Sequence, residues 1–90
     1  MSRNKVTLIG ILSRLTLYQI NNEDIYKTRI STEEGNISLL ISKNTFKKTN
    51  EKFTLKKFEK AKVAVIGYVY TDLANREFIK VTEIAIFKNI

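Results

Sequence analysis

One short phrase occurs twice in this chain. Lys5-Val6-Thr7-Leu8-Ile9-Gly10 returns as Lys62-Val63-Ala64-Val65-Ile66-Gly67. Each copy is a β-branched, apolar run of the kind that fills strands. Each closes on a glycine, which inside a strand pattern marks a bulge or a sharp bend. Two strands that each coil at a glycine suit a small closed barrel, because closing a sheet requires its strands to tilt and bend.

The rest of the chain supplies the remaining strands. The first runs from Lys5 to Leu12, extending toward Leu17, with Val6 and Leu8 on one face and Lys5, Thr7 and Ile9 on the other. Asn21-Asn22-Glu23-Asp24 has the composition of a turn. A second strand over Ile25 to Thr32 alternates Tyr26, Thr28 and Ile30 against Lys27, Arg29 and Ser31. Glu33-Glu34-Gly35-Asn36 closes a hairpin, and the third strand over Ile37 to Ser42 sets Ile37, Leu39 and Ile41 on one face. A lysine-rich connector of about twenty residues follows. Within it Thr54 is placed to cap a helix over Thr54 to Lys60 whose Leu55 and Phe58 share a face. The fourth strand is Lys62 to Tyr70, the turn Thr71 to Arg76, and the fifth strand Glu77 to Phe87. No proline interrupts any of them and no linker divides the chain, so residues 1–90 read as one domain. Five short strands with one short helix between the third and fourth is the order of a mainly all-β OB-fold barrel.

Composition narrows the function. With no cysteine there is no thiolate metal site, and with no histidine the commonest zinc ligand and general base are gone. The acid pairs Glu23-Asp24 and Glu33-Glu34 fall in turns and read as solvated residues, so neither an enzyme nor a cofactor is expected. No run is long enough for a membrane helix and no leader is evident, so a cytoplasmic protein is expected. The net charge of +7 is uneven: Lys43 to Lys62 holds eight lysines and two acids, and the rest is nearly balanced. A basic excess held on one element is an electrostatic footprint for nucleic acid, or else only a solvated face.

Three segments resemble bacterial single-stranded-DNA-binding proteins. Asn4 to Gly10, with Leu12 and Arg14 after it, is similar to the family's opening strand. Phe58 to Gly67 is similar to its helix end, basic turn and fourth strand, and Phe78-Ile79-Lys80-Val81-Thr82-Glu83-Ile84 to its fifth. The primosomal replication proteins are similar in length. The resemblance implies an OB-fold that binds single-stranded DNA with little sequence preference during replication or recombination; RNA stays open as the ligand because stacking grooves accept both sugars. It also implies a homo-dimer or homo-tetramer built partly on the first strand, whose outward Ile9 and Ile11, if exposed, would form the contact; a replication protein as partner follows instead if the barrel is an interaction adaptor. The chain departs from the family in having no tryptophan, in reading Leu15-Thr16-Leu17 after the first strand where the family has Asp-Pro-Glu, and in ending Lys88-Asn89-Ile90 with no acidic tail. A bare binding domain of a bacterium, plasmid, phage or mobile element is therefore expected.

Single strands are held by cations that follow the phosphates and rings on which bases stack. If Tyr26 and Ile30 face inward, Lys27 and Arg29 face outward. If Val63, Val65 and Val69 face inward, Tyr68 and Tyr70 face outward; if Ile79 and Val81 do, Phe78 and Lys80 do not. The candidate nucleic-acid contacts are thus Lys27, Arg29, Lys43, Phe46, Lys47, Lys48, Tyr68, Tyr70, Phe78 and Lys80. Phe53 and Phe58 read as core contacts of the helix, and Phe46 as either a core or a ligand contact. Tyr18 either gates the groove or caps the barrel, and Tyr68 and Tyr70 serve stacking, pack under the helix or form a dimer interface. A protein-interaction adaptor for a helicase, primase or polymerase is the other reading of the same barrel.

Overall fold

The computed structural model describes residues 4–48 and 54–87. Its strands are β1 (Lys5–Leu12), β2 (Thr16–Ile20), β3 (Glu23–Thr32), β4 (Gly35–Ser42), β5 (Lys62–Thr71) and β6 (Glu77–Ile86). Between β4 and β5 the described residues form two short helices, α1 (Lys43–Lys47) and α2 (Leu55–Phe58). The sheet order is β1-β5-β6-β4-β3-β2, and a further β1–β3 pairing closes five of the six strands on themselves. All pairings are antiparallel except β4 with β6, which the helical crossover makes parallel.

The repeated phrase pairs with itself. Val6 lies opposite Gly67 and Gly10 opposite Val63, so the two copies run antiparallel side by side. Both glycines sit where another backbone crosses closely. A β-carbon on Gly10 would run into the Ser31 carbonyl, where β1 leaves β5 and turns onto β3. One on Gly67 would run into the Lys80 carbonyl, beside the register shift between Ile66 and Gly67.

The core is formed by the inward faces the alternation marks: Leu12, Ile30, Leu39, Ile41, Val63 and Val65 are fully buried, with Tyr26, Ile79, Val81 and Ile84 around them. Val69 is a correction. It lies past the bulge, where β5 and β6 continue as a hairpin, and it is exposed rather than turned into the core.

Two elements differ from the expectation. The run after the first strand is not its continuation but a sixth strand, β2, hairpinned to β3. The turn is Asn21-Asn22 alone, both at positive φ (50° and 64°), the geometry that splays strands least, and Glu23 and Asp24 already belong to β3. The second is α1. The Ser42 hydroxyl accepts from the Thr45 backbone N–H at 3.2 Å and starts a helix directly from the end of β4. This turns Phe46 into the barrel's end, edge-on to Tyr26 (5.6 Å between centroids) and to Phe58 (4.7 Å). In α2, Thr54 accepts from the Lys57 backbone N–H as a cap should, and Phe58 is buried as expected. Lys60, at φ 63°, ends that turn. Phe53 lies outside the described residues.

Candidate nucleic-acid interface

A groove crosses the barrel over β3. It is formed by two adjoining cavities of about 440 and 420 Å³ that share Tyr18, Lys27, Arg76 and Phe78. Strands β3 and β4 form the floor with Lys27, Thr28, Arg29, Ser38 and Leu40. The β2 hairpin is one wall, through Thr16, Tyr18 and Ile20. Tyr70, Phe78, Lys80 and the β5–β6 loop form the other, and Arg14 stands at the β1–β2 end.

The groove is cationic. Arg14, Lys27, Arg29, Arg76 and Lys80 line it against Glu23 and Asp72. Asp72 is occupied within its own loop, accepting from the backbone N–H groups of Ala74 and Arg76 and from the Arg76 Nε, each at 2.9 Å. The Arg76 backbone N–H is the largest cause holding the Asp72 carboxyl below its ordinary value of 3.8. The Arg76 side chain nevertheless remains 66% exposed.

Cations and rings are interleaved. The Lys27 ammonium lies 5.1 Å from the centre of the Phe78 ring and 5.4 Å from that of Tyr18, and the Lys80 ammonium lies 5.8 Å from that of Tyr70. These are cation–π distances. Phe78 turns outward as the alternation requires, yet it is only 8% exposed and lies beneath Lys27. Tyr18 and Tyr70 are open, at 48% and 43%.

Of the residues singled out in the sequence, Lys27, Arg29, Tyr70, Phe78 and Lys80 meet in this groove. Tyr68 is half-buried, two residues before Tyr70 on β5, and does not line it. Phe46 is fully buried and presents no face to a base; α1 turns it into the core, which corrects its assignment as a contact. Lys43, Lys47 and Lys48 sit on α1 and just past it, off the groove, and Lys43 pairs with Asp24 at 3.9 Å. None of the five groove cations comes from the lysine-dense segment. Alternation does not single out Arg14 or Arg76, because both fall in connections, where it carries no information. The signal that could have found Arg76 is Asp72 four residues before it, the pattern of an Asx-closed loop.

The connectivity and the groove define an OB-fold barrel with an added β2 hairpin. No protein-family model matches the chain, and no curated protein matches its sequence. Among solved structures, it is similar to a chain of the yeast Stn1 and Ten1 structure, with a TM-score of 0.77 and 22% identity over 94% of this chain. This chain spans 43% of the length of that one. It is also similar to the dimeric N-terminal domain of the PriB protein from Thermoanaerobacter tencongensis (TM-score 0.73, 15% identity, 96% of this chain and 98% of that one). The mitochondrial single-stranded-DNA-binding protein Rim1 from S. cerevisiae gives a TM-score of 0.73 at 14% identity, over 99% of this chain and 98% of that one. At these identities the likeness is one of fold.

Proposed function

We propose that this protein binds single-stranded DNA with little sequence preference along the β3 groove, in replication or recombination in the cytoplasm. The observation that carries the reading is one groove lined by five cations together with Tyr18, Tyr70 and Phe78, with Lys27 and Lys80 set against the rings. Phosphates follow the cations and bases stack on the open rings of Tyr18 and Tyr70, which every base can do, while Phe78 sits beneath Lys27. The similar structures add support, Rim1 being itself a single-stranded-DNA-binding protein. Catalysis and cofactors are no part of the proposal, and Asp72, the acid nearest Arg76, is committed to its loop.

The test is a titration of labelled oligothymidine at several salt concentrations. Each neutralised phosphate contributes about −0.7 to the slope of log K against log salt, so five cations set a limit near −3.5. Lys27→Ala and Arg29→Ala should each flatten the slope by about 0.7. An affinity indifferent to salt overturns the reading. Matched RNA and duplex DNA in the same titration establish which polynucleotide the groove prefers.

Assembly as a homo-dimer is part of the same proposal. Ile9 and Ile11 project from β1 at 52% and 50% exposure, beside Ala64 and Ile66 of β5, an apolar strip on the side away from the core that ends at Lys62 opposite Ile11. The strip is also what favours the second reading, an interaction module for a replication protein. One stoichiometric protein partner, with labelled single strands left unbound, would decide for that reading.

A further inference from the structure

The segment between β1 and β2 is only three residues long, yet it sets where Arg14 and the whole β2 wall stand. It is held from both sides. On one side the Ser13 backbone N–H donates to the Arg29 carbonyl at 2.8 Å, and the Thr28 hydroxyl donates to the Ser13 carbonyl at 3.1 Å. On the other, the Leu12 N–H donates to the Ala61 carbonyl and the Lys60 N–H to the Leu12 carbonyl. The last contact is made by a charged side chain: the Leu15 backbone N–H donates to the Glu59 Oε2 at 2.8 Å, across 44 residues of sequence. Leu15 itself is buried, so its N–H has little access to water if that acceptor is removed.

Glu59 is one of two acids in the lysine-dense segment and does not line the groove. We infer that Glu59 is a positioning residue for nucleic-acid binding: its carboxylate clamps Leu15 and so fixes Arg14 and the Tyr18 hairpin at the groove's edge. The inference rests on the proposed single-strand groove and adds a residue outside it. It also gives part of the lysine-rich connector a role in binding that does not require its lysines to touch the strand.

The sign of the effect separates this from electrostatics. Removing an acid from a basic protein should, by charge alone, tighten a polyanion. A lost clamp should weaken it. Glu59→Ala is therefore expected to bind oligothymidine roughly two- to fivefold more weakly, the equivalent of one exposed ion pair, with the salt slope flattened by about 0.7. Glu59→Gln keeps a carbonyl acceptor and loses the charge, so it should bind as tightly as the parent or more tightly. Arg14→Ala added to Glu59→Ala should weaken binding no further. Amide hydrogen exchange at Leu15 reads the clamp with no ligand present: protected in the parent and in Glu59→Gln, faster in Glu59→Ala. Unchanged Leu15 exchange in Glu59→Ala overturns the clamp whatever the protein binds. Undiminished affinity in Glu59→Ala, or additive losses with Arg14→Ala, overturns its role in binding. If the parent itself shows no salt-dependent binding, the groove reading and the binding role fall together, while the exchange experiment still judges the clamp.

Discussion

Gly10 and Gly67 are where single atoms decide the architecture. At each, an added β-carbon would lie closer than 3.0 Å to a backbone carbonyl oxygen of a crossing strand, and backbone cannot swing aside as a side-chain tip can. Gly10→Ala and Gly67→Ala should each lower stability by at least ~2 kcal/mol through overpacking. Gly35 is the control: it has open space but sits at φ 121°, so Gly35→Ala should cost about 1–2 kcal/mol from strain alone. Urea midpoints at constant m-value measure all three, and a Gly10 variant milder than the Gly35 one would show that the bend is not a tight crossing. Asp72 gives a prediction in pH. Its carboxyl is held below 3.8, first by the Arg76 backbone N–H, with desolvation opposing and the Arg76 side chain and Ala74 N–H adding to the lowering. A carboxyl depressed on folding contributes stability above its unfolded value and loses it as pH falls through the folded one. The loop's order should therefore be complete at neutral pH and fade only below pH 3.8. The Ala74 and Arg76 amide resonances should titrate there, and Asp72→Asn should make them flat; a midpoint at or above 3.8 would contradict the hydrogen bonding described.

The elements divide into those that hold the barrel and those that shape the groove. Helix α1 belongs to the first kind. Its five residues gain little from helix propagation, and it exists because Ser42 caps it and Phe46 fills the barrel's end. Phe46→Ala should cost about 3–5 kcal/mol, as a large aromatic deletion in a core does, a large share of the ~5–15 kcal/mol of a small domain. Tyr70→Ala should leave the unfolding midpoint nearly unchanged and instead weaken single-strand binding by about 1–3 kcal/mol. The pair is checked by urea denaturation and titration side by side; a stable Phe46→Ala protein with impaired binding would return Phe46 to the groove. Strand β2 is of the second kind, every one of its residues being exposed. It was hard to read because Thr16 to Ile20 continues the apolar character of the first strand across a three-residue break with no glycine or proline. Only its pairing with β3 separates it. Asn21-Asn22 was legible as a turn from residue type, but its two-residue length was not, since Glu23 and Asp24 look like turn residues until they are paired across a sheet.

For the molecule as a whole, charge and shape part company. The described lysines of the densest positive segment lie off the groove, while the groove draws its cations from the β1–β2 connection, β3, the β5–β6 loop and β6. The connector's exposed lysines should raise non-specific attraction at low salt without fixing a register. Assembly is tested at this scale. Light scattering should give about twice the monomer mass, and Ile9→Lys with Ile11→Glu should return the protein to a monomer by placing charges on the apolar strip. The groove faces elsewhere, so the per-chain salt slope should not change. A monomeric parent would remove the dimer and leave the groove as it is.

The chain alone determined five of the six strands, the inward and outward sides of most of them, the two bend glycines and the absence of cysteine or histidine chemistry. Those are properties of residue type and of a period of two, both of which are local. Val69 marks the limit, because the bulge at Gly67 and the end of the barrel are set by β6 and not by β5's own pattern. The site itself was decided by pairing. Arg14, Lys27, Arg76 and Lys80 are scattered along the chain and become neighbours only because β1, β3, β5 and β6 close on one another. Phe46 and the lysines that looked most like a binding segment were carried to the core and the barrel's end by a helix that a serine cap started. Alternation says which side of a strand a residue takes; only closure of the sheet says which other residues it meets there.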